Sequence, residues 1–249
     1  MRKFFIALFT VCALVPAFSQ EIGNRGDLGD LGDIQGLFEE EEEDPSILFQ
    51  SKDGDIVLRA SAHVGYGFHS MKSSLFQTAG SSEVFLNVLR LGVYPNEFLS
   101  VELNTDIEYN SFKSSDIVFY LQDGILHLPM DDASSVSGKV SKSTSSFNYF
   151  CVNFPVLAKF RAGKMAFGGG AEASFNFGGR TWYKYTEGSR TTTVKETGAK
   201  LNLFTYGFIG VISYDSLALF VKWYPKSSRI VPKGDIDFNH ITFGIAFGL

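Results

Sequence analysis

Three histidines stand where hydroxyls and carboxylates could reach them. His63, His69 and His240 fall on the polar strand faces, with Ser61, Ser70, Asp106 and Glu108 available nearby. A serine activated by a histidine, itself oriented by a carboxylate, carries out acyl transfer and ester hydrolysis. No motif of fixed spacing joins these residues, and a narrow polar interior uses the same residue types as filling. A barrel-embedded lipid-modifying enzyme is therefore an alternative reading, and no catalytic residue is assigned. Metal chemistry has less to build on. No Cys/His cluster has zinc spacing. The Gly-Asp-apolar triplets from Gly26 to Ile34 match neither an EF-hand nor a nonapeptide β-roll. No cofactor is expected.

Charge is arranged more suggestively. Arg59, Arg90, Lys159 and Lys222 share faces with Glu102, Asp106, Glu108 and Glu172, four cations against four carboxylates. Unpaired charge in low dielectric is costly, so a closed lumen holding these eight would pair them. A second cluster, Arg180, Trp182, Tyr183 and Tyr185, is aromatic and basic and falls in a connection. Exposed aromatics and arginines mark contact sites. The same residues also suit the upper edge of an interfacial aromatic girdle.

The elements that must carry these residues have period two. Ile241, Phe243, Ile245 and Phe247 alternate with Thr242, Gly244, Ala246 and Gly248. Leu99, Val101, Leu103, Thr105, Ile107 and Tyr109 alternate with Ser100, Glu102, Asn104, Asp106 and Glu108. A strand with this pattern meets oil on one face and small or polar groups on the other. The pattern recurs in about eight segments of ~10–13 residues, long enough to cross a bilayer at a tilt. The links Pro95–Glu97, Arg161–Lys164 and Tyr214–Ser216 are short, whereas the alternate links are long and polar. Ser111–Ser146 is the longest link, and its apolar stretch Ile117–Leu121 suits a small hairpin or extensions of the flanking strands. The segment from Lys200 to Ser213 carries large apolar residues on both faces, so its register stays open.

The expected fold is all-β: a transmembrane, antiparallel up-and-down β-barrel of about eight strands over residues 57–249. Phe and Gly each number 25, with Tyr at 10, and mean hydropathy is close to zero. Barrels use aromatics on the lipid face and glycine where the interior is crowded. A soluble lipocalin-like barrel, apolar inside and polar outside, is the competing architecture. Eight strands leave an interior just wide enough for side chains. A wide channel is not expected, and a slim path for small apolar ligands is the transport alternative. The net charge of −5 argues against nucleic-acid partners.

Residues 1–19 read as a signal peptide. Arg2 and Lys3 precede the apolar run Phe4–Val15, and Ala17-Phe18-Ser19 supplies small residues for cleavage. Residues 20–56 form an acidic stretch with a run from Glu39 to Asp44, expected to be an unstructured periplasmic tether. Removing Cys12 with the signal leaves Cys151 alone, so no internal disulfide is expected. The expected location is a bacterial outer membrane with both termini periplasmic. The expected partners are outer-membrane lipid, the barrel-assembly machinery and an envelope or extracellular protein.

Phe154-Pro155-Val156-Leu157-Ala158-Lys159-Phe160, a short turn, then Phe167-Gly168-Gly169-Gly170-Ala171 resembles a strand pair of small PorT-like outer-membrane β-barrel proteins. Tyr206-Gly207-Phe208-Ile209-Gly210 and Lys222-Trp223-Tyr224 extend that resemblance, which spans roughly Asn148 to Leu249 and more loosely the chain from Val57. The chain departs from the pattern in its long acidic N-terminal stretch and in Leu249 where Phe or Tyr is common. The resemblance implies fold and location and carries no catalytic residue. The functional expectation is a structural or interaction role, with any binding through extracellular loops.

Overall fold

The computed structural model describes residues 46–51, 54–71, 80–115, 120–127, 140–187, 189–231, 238 and 240–248. The chain divides into two compact units, Met1–Leu48 and Phe49–Leu249. Of the first, only Ser46–Leu48 are described, at the start of the short strand β1 (Ile47–Gln50). The signal peptide and the acidic run read from the sequence lie outside the described residues.

The second unit is a closed ring of eight antiparallel strands. Its members are β2 (Ile56–Met71), β3 (Ser82–Val93), β4 (Leu99–Ser115), β7 (Val140–Ala162), β8 (Met165–Glu187), β10 (Phe204–Tyr214), β11 (Leu217–Trp223) and β12 (His240–Gly248). Each pairs with the next, and β12 returns to β2, with Phe243 opposite Phe68 and Ile245 opposite Tyr66. The ring is therefore a barrel without edges, as the alternation predicts.

The three short turns sit at one end, beside Ile56 and Gly248. At Pro95–Glu97 the Asn96 side-chain oxygen accepts the backbone N–H groups of Phe98 and Leu99, at 3.0 and 2.9 Å. Gly163 and Asp215 open the other two turns with φ of 59° and 54°, the left-handed backbone such tight connections need.

At the opposite end the long connections are structured. β4, β7 and β8 run past the barrel, and β8 continues into a hairpin with β9 (Arg190–Ala199). The Ser111–Ser146 link both extends its flanking strands and holds a hairpin, β5 (Tyr120–Gln122) with β6 (Ile125–His127). Asp123 and Gly124 make its turn with positive φ, the pairing expected for two-residue hairpin loops. The Leu121 N–H donates to Glu196 at 2.7 Å and Lys200 N–H to the Gly124 carbonyl at 2.7 Å, which ties the hairpin to β9 and its exit. These extensions form a crown.

The polarity of the wall is inverted relative to a soluble protein. Phe167, Phe208, Phe243 and Phe247 point outward, 43–53% exposed, within a belt of exposed aliphatic and aromatic residues. Glu102, Asp106, Glu108, Glu172, Lys222 and Thr242 point inward and are buried. This is the pattern of a membrane-spanning barrel, and it removes the lipocalin-like alternative, whose apolar side is the inside. Strand β10 resolves its two apolar faces the same way. Phe204, Tyr206, Phe208 and Ile212 face out, while Thr205 and Gly207 are buried and Val211 packs on an inner cluster.

Candidate functional site

The lumen is a stack of chemically distinct layers. Nearest the short turns lies a basic layer. Glu102 on β4, fully buried, receives Lys159 Nζ at 2.6 Å and Arg161 Nη2 at 3.0 Å, both from β7, with Arg90 Nε on β3 3.7 Å away. Arg90 also lies 3.2 Å from His63 Nε2, and His63 Nδ1 meets Ser61 Oγ at 2.6 Å. Arg59 stands directly opposite Arg90 in the β2–β3 register. Gly168 makes room for this layer: a Cβ there would come within 2.6 Å of the Lys159 stem.

A cavity of about 390 Å³ opens from this layer toward the short turns. Its walls include His63, Arg90, Lys159, Arg161 and Lys164, with Asp215 at the turn. Val211 and Ala218 also line it, and both pack against buried Phe85 and Phe220. The two rings meet edge to face at 5.4 Å. They fit because Gly65 and Gly244 stand under them; a Cβ at Gly65 would lie 2.1 Å from the Phe85 ring, and one at Gly244 2.2 Å from Phe220. The cavity therefore ends on an apolar partition.

Beyond the partition is an acidic layer around a single lysine. Lys222 on β11 donates to Glu108 at 2.5 Å and lies 2.8 Å from Glu83. Asn110 and Asn153 each donate to Glu108 at 2.7 Å. Asp106 accepts from Asn87 at 2.5 Å, and Glu172 accepts from the Tyr224 hydroxyl. Carboxylates crowd here while cations crowd in the basic layer. The eight residues singled out in the sequence are thus brought into the lumen wall, but not as four one-to-one pairs.

An aromatic cap closes the crown end. Phe112, Phe147, Tyr149 and Phe238 pack with Leu126 of the β5–β6 hairpin, Ile230 and Val231. His69 stacks on Phe112 with centroids 4.5 Å apart and binds Thr242 Oγ1 at 2.8 Å. His240 stacks on Tyr224 and donates through Nδ1 to the Phe238 carbonyl at 2.7 Å. His63, in the basic layer, faces a guanidinium and not a carboxylate. Among the described residues, no serine, histidine and carboxylate line up as a charge-stabilised nucleophile requires.

Glu83, Phe85, Asn87 and Arg161 are lumen residues that escape a reading by alternation. The first three precede a β-bulge between Asn87 and Leu89 that reverses the parity of β3, so the alternation anchored on Leu89-Arg90-Leu91 misplaces them. Arg161 falls in the expected turn, but β7 runs on to Ala162 and delivers its side chain to Glu102. The Asp123-Gly124 dipeptide is the sequence signal for the β5–β6 hairpin.

The aromatic-basic cluster is divided by its strand. Arg180 lies over the Tyr109 and Phe150 rings at 5.8 and 5.9 Å, at the upper edge of the apolar belt. Trp182 and Tyr183 are half-buried on successive positions of the β8–β9 hairpin, opposite Lys195 and Val194. Tyr185 pairs with Thr192 in the same ladder.

Comparison with protein-family models finds no match, and neither does comparison with curated proteins. Among solved structures the chain is similar to Ail, the attachment invasion locus protein of Yersinia pestis, at 10% identity and a TM-score of 0.35. The alignment covers 76% of this chain and 95% of that one.

Proposed function

We propose that the protein is an outer-membrane β-barrel that displays its crown as an interaction surface. The observation that carries this reading is the inverted wall: large apolar side chains outside, buried carboxylates and lysine inside. Such a wall is stable only where lipid replaces water around it. The lumen is filled by two apolar layers and two charged ones, which favours an anchoring role over diffusion through the barrel. The crown offers what the barrel does not: a hairpin with exposed threonines and lysines, braced by β5–β6. Its partner on this reading is another envelope or extracellular protein. The resemblance of the Phe154–Ala171 strand pair to PorT-like barrels supports the same location.

Orientation tests the proposal. Lys195 is exposed on the crown hairpin and Glu97 is exposed at a short turn. Cys151 is buried, so it adds no background labelling. In intact cells, Lys195→Cys should react with a membrane-impermeant maleimide, and Glu97→Cys only after the outer membrane is permeabilised. Labelling of both in a soluble periplasmic fraction, or the reverse pattern in intact cells, would reject it.

A further inference from the structure

We infer that the basic vestibule at the short-turn end binds a phosphate-bearing anion. The inference needs only the barrel and does not depend on the role proposed for the crown. Arg90, Lys159, Arg161 and Lys164 line the cavity, and among the described residues the carboxylates at its wall and rim are Glu102 and Asp215. The site therefore carries an excess of two positive charges. Among the described residues no carboxylate of the acidic layer pairs directly with these cations, because Phe85 and Phe220 stand between.

The cations are also held in place. Glu102 is fully buried and takes one donor from Lys159 and one from Arg161. The Arg161 guanidinium further lies over the Tyr94 ring at 5.4 Å. A guanidinium has five N–H donors and an ammonium three, so most remain for a ligand. Buried Glu102 thus acts as a positioning residue whose ion pairs aim arginine and lysine into a closed-ended cavity. A phosphate oxyanion with several acceptor oxygens, singly charged in a diester and doubly charged when terminal, matches both the excess of positive charge and the forked donors. The group could be a free phosphate compound or the headgroup of a phospholipid from the adjoining leaflet.

The test uses the full chain folded in a phosphate-free detergent. Sodium pyrophosphate is titrated calorimetrically at fixed ionic strength in chloride. Phosphatidylglycerol retention is read by native mass spectrometry after release from nanodiscs containing that lipid. Saturable binding of either probe is expected, weakened at least tenfold by Arg161→Gln combined with Lys164→Gln. It should be unchanged by Lys195→Gln combined with Lys226→Gln, which removes equal charge from exposed positions outside the cavity. Pyrophosphate binding without retained lipid identifies a free anion as the source. Retained lipid, lost in the vestibule variant, identifies the headgroup. Should the double variant not fold, Lys164→Gln alone serves, since Lys164 is exposed and lies outside the Glu102 ion pairs. No saturable binding of either probe to the wild-type chain, or equal weakening by both double substitutions, overturns the inference.

Discussion

Lys222 is the residue on which the acidic layer turns. Its ammonium is the buried cation that meets Glu83 and Glu108, and it lies over the Phe85 ring at 4.9 Å. Removing one partner of a buried ion pair leaves uncompensated charge and costs about 3–5 kcal/mol. Lys222→Met should therefore lower barrel stability by that order in a urea titration in micelles. Adding Glu83→Gln should recover part of the loss, because one of the stranded carboxylates becomes neutral. Equal stability of the single and double variants would show that Glu83 and Lys222 do not share a site. Glycine makes a second residue-scale case. A Cβ at Gly244 would meet the Phe220 ring at 2.2 Å and the Tyr66 carbonyl oxygen at 2.4 Å, and backbone cannot step aside cheaply. At the outward Gly169 the nearest atom would be 3.5 Å away. Gly244→Ala should destabilise by about 1–3 kcal/mol, the usual cost of overpacking, and Gly169→Ala should be close to neutral. The same titration separates them.

At the scale of the element, each strand holds its own depth in the wall. Phe243 lies mid-strand on β12, opposite Val221 and Phe68, and is 53% exposed. Tyr214 ends β10 at a short turn and is 59% exposed. Exposure alone would treat them alike. In a bilayer, arginine on the outer face costs about 2–4 kcal/mol at the midplane and about 0–1 near an interface. Phe243→Arg should therefore cost several-fold more than Tyr214→Arg when folding is measured into lipid vesicles. Equal costs would contradict a membrane around this belt. The strands themselves were legible in the sequence because the pleat has period two and one face of each is uniformly apolar. Leu99 to Glu108 reads correctly residue by residue. Legibility fails where the period fails. The bulge after Asn87 hid Glu83, and the run of β7 past its expected end hid Arg161. The layering of charge was not readable at all, since alternation assigns a face but not which of several inward residues meet across the lumen.

At the scale of the molecule, the described residues of the second unit form a closed ring of strands with two unlike ends. One end closes on the aromatic cap of Phe112, Phe147, Tyr149 and Phe238. The other opens as a basic vestibule that stops at Phe85 and Phe220. Between the caps, every ring strand is hydrogen-bonded on both sides, from β2 round to β12 and back. No strand edge in the ring is left to nucleate unfolding or pairing with another chain. In a membrane there is also no water to take up a broken backbone bond, so opening the ring must break many bonds together. That predicts a large kinetic barrier. The unboiled protein in dodecyl sulfate should keep its compact barrel and migrate differently from the boiled sample, and it should fractionate with outer-membrane lipid. The two apolar partitions predict a second property of the same folded species: planar bilayers containing it should show no discrete conductance steps. Heat-modifiable mobility without conductance is the expected combination. Stable conductance steps from heat-modifiable protein would mean that the partition at Phe85 and Phe220 opens, and would move the molecule from anchor to channel. Soluble recovery with a single mobility before and after boiling would instead contradict the membrane wall itself.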